Sequence, residues 1–234
     1  MNCDHCGGEV HFNAAGGYDC PACESKRKEV EVTRTIREDE NKQLGSLRFL
    51  KTRNSYEMRR INSEKQLEQL FDWHAEPGAA YHIISMGDID SLTFLKWILR
   101  QQPLDYLIAS TWCMALTDCE EIDKLVSRQI IKRADFYVGE IFQKTYSAEY
   151  TELARIVRTC QGRVGIFRNH AKIFTGRGPR FDFAIESSAN INTNPRTEQT
   201  TITIDTPLFL FYKEFFDGIK SYNRDFDSWT PWKI

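Results

Sequence analysis

No stretch of this chain strings together eighteen apolar residues, so no transmembrane helix is expected. Its first residues, MNCDHCGG, lack the basic start and apolar segment of a secretory signal, and the expected compartment is the cytoplasm. Neither sign of charge prevails: 31 Lys and Arg against 33 Asp and Glu leave a formal charge of −2. That balance gives no global electrostatic case for nucleic acid, so any basic surface must be local. A lipid-inserting amphipathic helix is also missing, which removes the membrane as an expected partner. What remains is a soluble globular composition, 41% apolar, 27% charged and 12% aromatic over 234 residues. It is enough for a sizeable core in one or two domains.

Cysteine, by contrast, is plentiful, and seven of them in a cytosolic chain argue for metal ligation or free thiols before disulfides. Cys3-x2-Cys6 and Cys20-x2-Cys23 form two knuckles thirteen residues apart, with Gly7-Gly8 and Pro21 beside the thiolates. Four thiolates close a tetrahedral Zn²⁺ shell with no position left for water, so the zinc would be structural. His5 and His11 are less favoured substitutes as ligands. Val10-His11-Phe12 and Tyr18 read as short strand pieces of a zinc ribbon over residues 1–24, a segment whose folding energy the metal would mostly supply. Cys113, Cys119 and Cys160 have no metal spacing and read as buried thiols.

Residues 25–79 are a charged linker and helical connection. Lys26-Arg27-Lys28 follows the ribbon closely enough to lie on a phosphate backbone, although mixed charge is more often a solvated surface. Leu47, Phe49 and Tyr56 alternate with Arg48, Lys51, Arg53, Arg59 and Arg60. That interleaving suits single-stranded nucleic acid, or an ordinary half-buried segment. Ser63 and Gln66 form a capping-box start for a helix carrying Leu67, Leu70 and Phe71.

From residue 80 strand-like and helix-like patterns alternate. Strands are expected at 81–86, 104–111, 136–142, from 164, 181–185 and 200–204; helices at 92–99, 120–131, 147–159 (capped by Ser147) and 208–219. This alternation predicts an α/β domain over 80–234, a mixed sheet flanked by helices. Asp88 and Asp90 sit at a strand-to-helix turn, where a helix cap is favoured over a metal site.

Chemistry concentrates between His170 and Glu198. If His170-Ala171-Lys172 is strand, the imidazole and the ammonium share a face. A hairpin folded at Gly176-Arg177-Gly178-Pro179 would bring Ser187-Ser188-Ala189-Asn190-Ile191-Asn192 beside them, making a pocket suited to a phosphate. These residues resemble one half-site of the phospholipase D superfamily, H-x-K-x4-D followed by G-S-x-N. His170 and Lys172 match the first part, and Ser188 and Asn190 the second. Glu198 lies where the family often orients its histidine. Two positions depart from the pattern: Arg177 stands where the family has Asp, with Asp182 off register, and Ser187 replaces Gly.

The resemblance implies a phospholipase D-like α/β fold behind a small zinc ribbon. It also implies a phosphodiesterase that needs no catalytic metal. His170 would form a phosphohistidine, Lys172 and Asn190 would hold the nonbridging oxygens, Glu198 would fix the imidazole tautomer, and Ser188 and Asn192 would contact substrate. No internal repeat supplies a second half-site, so the second histidine would come from another copy in a homodimer. With the ribbon and basic linker, DNA or RNA is the expected substrate. The alternative is a non-catalytic nucleic-acid-binding or scaffolding protein that keeps the fold.

Overall fold

Tyr106–Thr111 and Ala134–Gly139 are buried at every position, and both lie inside a sheet covered on its two faces. The computed structural model of the chain describes residues 11–12, 18–19, 67, 74–86, 89–191 and 196–234. The chain divides into two units, Met1–Tyr56 and Glu57–Ile234. In the first, β1 (His11–Phe12) pairs antiparallel with β2 (Tyr18–Asp19). Cys3, Cys6, Cys20 and Cys23 lie outside the described residues, as do Asp88, Asn192, the segment 24–45 and the capping box at Ser63.

The second unit runs β3 (Ala80–Ser85), α1 (Ser91–Gln101), β4 (Tyr106–Thr111), α2 (Leu116–Ser127), β5 (Ala134–Gly139), α3 (Phe142–Thr145), α4 (Ser147–Thr159), β6 (Val164–Phe167), β7 (Ile173–Arg177), β8 (Asp182–Ser187), β9 (Glu198–Thr203) and α5 (Thr206–Asp217). Its strands form one seven-stranded sheet in the order β3-β9-β8-β7-β4-β5-β6. β4, β5 and β6 are parallel; every other pairing is antiparallel. It is thus a mixed sheet flanked by helices.

Side chains alternate between the two faces of each strand. Leu107, Ala109, Phe136 and Val138 join a large core with residues of α1, α2 and α4. Their neighbours Tyr106, Ile108 and Tyr137 point the other way, onto Phe209 and Phe216 of α5. The helices begin where local chemistry starts them. Asp90 caps α1, accepting from the Thr93 N–H at 2.8 Å and its hydroxyl at 2.9 Å. Asp205 caps α5 through the Leu208 N–H at 2.6 Å, with Pro207 in the first turn.

Four expectations shift. The helix expected at 120–131 spans Leu116–Ser127, because Gln129 leaves it at φ 59° and Ile131 bridges to Leu104. The strand expected at 136–142 is β5, Ala134–Gly139, and Phe142 opens the helical turn α3. Ser147 is not a cap: α4 follows directly on α3, and Tyr146 occupies the cap position without a side-chain bond. His170 and Lys172 do not lie on a strand, since β6 ends at Phe167 and β7 begins at Ile173.

Candidate functional site

Parallel strands present all their carboxyl ends on one side, and in open α/β sheets that side is where ligands bind. Here β4 delivers Thr111 and Trp112 there, β5 delivers Gly139, and β6 leads into residues 168–172. Antiparallel pairing returns the far end of β8 and the start of β9 to the same edge, since Ile173 faces Glu186 and Ser187 faces Thr200. His170, Lys172, Ser188, Asn190 and Glu198 are therefore gathered at one end of the sheet.

The segment between β6 and β7 is set by Asn169, which is buried. Its Oδ1 accepts from the Ala171 N–H at 3.0 Å, forming a local turn over His170. Its Nδ2 donates to Ser110 Oγ at 2.9 Å and to the Tyr137 carbonyl at 3.0 Å. Ser110 Oγ in turn donates to the Ala171 carbonyl at 3.0 Å. This anchoring takes the chain off the strand path and leaves His170 exposed above it.

Lys172 Nζ lies 2.8 Å from His170 Nδ1 and 3.3 Å from Nε2, and donates to the His170 carbonyl at 2.8 Å. An ammonium can only donate, so the ring nitrogen closest to it must carry a lone pair. The imidazole thus presents its Nδ1 lone pair to the Lys172 ammonium. A phosphate that drew the ammonium away would free Nδ1 to carry the single ring proton and leave the Nε2 lone pair for attack. Partial burial holds the Lys172 ammonium below the usual lysine range, against the pull of Cys113 and Glu198, which raise it.

The second strand of the hairpin meets this segment through its backbone: the Ser187 N–H donates to the Lys172 carbonyl at 3.0 Å. Ser188 Oγ donates to Glu198 Oε2 and accepts from the Gln199 N–H at 3.0 Å. Glu198 is thus drawn to Ser188 and acts electrostatically on Lys172; the bond to His170 expected of it is not among the described contacts. Asn190 Oδ1 accepts from the Trp112 N–H at 3.2 Å, and its carbonyl accepts from Ser91 Oγ at 2.8 Å. Arg177 and Asp182 lie at the opposite end of the hairpin. They pair through two bonds of 2.8 and 2.6 Å, so the off-register acid is used up by the arginine.

Three residues of the site have no counterpart in the sequence reading: Asn169, Ser110 and Trp112. The signal for Trp112 was its place directly after an apolar strand; Asn169 is a turn-forming residue next to the histidine. The imidazole ring of His170 lies 5.3 Å from the Trp112 ring at 56°. A hollow lined by Leu116, Glu120, Ser147 and Thr151 contains none of the site residues, and His170 stands on open surface. Among the described residues, no three His, Cys, Asp or Glu side chains are gathered as a metal ion would need.

No family model matches the chain, and no curated protein sequence does. Among solved structures, the chain is similar to polyphosphate kinase from Porphyromonas gingivalis. The TM-score is 0.49 at 15% identity, over 69% of this chain and 30% of that one. The chain therefore spans less than a third of that protein's length, and nothing about activity follows from the likeness.

Proposed function

We propose that the chain is a phospholipase D-like phosphodiesterase, a nuclease acting on DNA or RNA through a phosphohistidine. The observation that carries this reading is the pairing of the exposed His170 imidazole with the Lys172 ammonium, 2.8 Å apart, at the carboxyl end of the sheet. Ser188, Asn190 and Glu198 lie at the same edge. In the first step His170 Nε2 attacks phosphorus, the bond to the leaving oxygen breaks, and a second histidine protonates that oxygen. Water then hydrolyses the phosphohistidine. Lys172 and the Asn190 amide meet the charge on the nonbridging oxygens. An imidazole on open surface suits a polymer backbone better than a small substrate that needs enclosure.

The second histidine is that of another copy in a homodimer. Sedimentation at micromolar concentration should give twice the 27.3 kDa chain mass, and a strict monomer would remove the mechanism. In the same proposal Cys3, Cys6, Cys20 and Cys23 hold a structural Zn²⁺. Elemental analysis should find about one zinc per chain, and Cys20→Ser should lose it.

The deciding experiment is cleavage of bis(p-nitrophenyl) phosphate, DNA and RNA in excess EDTA, with the chain lacking residues 1–24 as control for zinc stripping. Cleavage should persist in EDTA and vanish in His170→Ala. A second reading, a non-catalytic nucleic-acid-binding or scaffolding protein, is favoured by Arg177, which puts a paired cation where the resemblance has a carboxylate. Binding without any cleavage would make that reading the right one.

A further inference from the structure

Neither strand register nor burial fixes the His170 ring: the residue is off the strand and exposed. Lys172 touches it, but an ammonium on a flexible four-carbon stem is a poor template for a planar ring. The second group against the imidazole is the indole of Trp112, 5.3 Å away between centroids. Trp112 is half-buried and follows β4 without an intervening turn, so its backbone is held by the sheet. Its backbone N–H also donates to Asn190 Oδ1 at 3.2 Å. One residue therefore touches both His170 and Asn190.

The space for the indole comes from Gly139, the last residue of β5. A β-carbon there would stand 2.9 Å from Trp112 Cε3, 3.1 Å from Cζ3 and 3.2 Å from the Asn169 carbonyl oxygen. Gly139 does not adopt a positive φ; among the described glycines only Gly78 does. Backbone conformation thus gives no reason for glycine at this position, and room for the ring does. The other described tryptophans serve the interior. Trp97 is in the core, Trp229 donates to Asp135 at 3.0 Å, and Trp232 stacks on Tyr106 at 4.9 Å.

We propose that Trp112, seated on Gly139, is a positioning residue whose indole sets the orientation of the His170 imidazole, while its backbone N–H holds the Asn190 amide. This rests on the reading of His170 as the nucleophile. It has an independent readout in the ring resonances of His170 in the full-length protein, identified by their disappearance in His170→Ala. Trp112→Ala should move those resonances toward the positions of a free histidine. Trp112→Phe keeps an aromatic ring and should retain most of the wild-type displacement. Gly139→Ala, which pushes the indole off its seat, should move them in the same sense as Trp112→Ala. His170 resonances that coincide in wild type and Trp112→Ala would overturn the proposal, whether or not the protein cleaves anything. In turnover, Trp112→Ala should lower kcat about 10²-fold, as for a reacting group displaced by roughly 1 Å, with KM unchanged. Trp112→Phe should recover most of that loss. A raised KM with kcat intact would make Trp112 a substrate contact and overturn the positioning role. A wild type without turnover sinks the nuclease reading and leaves the His170 resonances to decide on Trp112.

Discussion

The two ends of the parallel strands handle polar groups in opposite ways. At the amino ends, Asp135, Tyr106 and Tyr137 are wholly buried and Arg163 nearly so. Asp135 accepts from Tyr106 Oη at 2.5 Å, from the Arg163 N–H at 2.9 Å and from Trp229 Nε1 at 3.0 Å. Arg163 donates to Tyr137 Oη and to the Phe216 carbonyl, both at 2.9 Å, and its guanidinium lies over the Trp229 ring at 3.5 Å. These donors of Tyr106, Trp229 and Arg163 all end on acceptors within the protein. At the carboxyl ends, His170 and Ser188 are exposed, and Lys172, Asn190 and Glu198 are half-buried. There Lys172 is occupied mainly by its neighbour His170, an arrangement that an incoming anion can exchange. A polar cluster closed on itself is architecture; a polar cluster that opens to solvent and can trade partners is where chemistry is possible.

Mutating the open end should separate activity from stability completely. His170→Ala should abolish phosphodiester cleavage, since in the proposed mechanism it removes the nucleophile and the acid of the partner copy together. Lys172→Ala should cost about 10³-fold, and Asn190→Ala about 10²-fold, as for the loss of one positioned donor. Urea denaturation should place His170→Ala within about 0.5 kcal/mol of wild type, because an exposed ring contributes little to folding. Cleavage that survives His170→Ala would dissolve the contrast, since the open end would then not be the reactive one.

Mutating the closed end should do the reverse. Asp135→Ala strands the Tyr106 hydroxyl, the Arg163 N–H and the Trp229 indole N–H in the interior. Each stranded donor costs about 1–3 kcal/mol, so denaturation should report a loss of at least ~3 kcal/mol. Turnover per folded molecule should not change. A variant as stable as wild type would mean that the network is dispensable.

Much of the fold was legible because its signals are local. The strands expected at 104–111 and 136–142 overlap β4 and β5, which are buried on both faces, and the stripe Tyr150, Leu153, Ile156, Val157 marks α4 over Ser147–Thr159. The β7–β8 hairpin followed from its Gly-Arg-Gly-Pro stretch, and at its open end the Ser187 N–H meets the Lys172 carbonyl. What stayed hidden depends on partners far apart in sequence. H-x-K has the period of a strand, and only the bonds of Asn169 to Ser110 and Tyr137 reveal a turn there. α2 ends before its apolar pattern does because Gln129 does the work usually given to glycine. Asp135 within ADFYVG gives no hint that residues 106, 163 and 229 converge on it.

The smallest expected effect concerns the charge of Asp135 itself. Burial pushes its carboxyl above the usual aspartate range, outweighing the donors from Tyr106 and Trp229, the Arg163 N–H and the Arg133 guanidinium, which pull it down. A folded-state pKa above the unfolded one means that the folded protein binds the proton more tightly. The resulting stability is fully present below the ordinary aspartate pKa and is lost as pH rises through the folded value. Asp135→Asn removes this titration while keeping the two bonds to Oδ1. Its Oδ1 can still accept from the Arg163 N–H and Trp229 Nε1, and its Nδ2 can donate to Tyr106 Oη; the Tyr106 hydroxyl proton then loses its acceptor, a cost that does not vary with pH. Unfolding free energies measured from about pH 4 upward, a range chosen from the ordinary aspartate pKa, should therefore fall more steeply with pH in wild type than in Asp135→Asn. Parallel curves would mean that the folded carboxyl titrates as it does in the unfolded chain, its donors offsetting burial. The closed end would then hold a true ion, and Arg133, 3.9 Å away, would be the counter-charge to remove next.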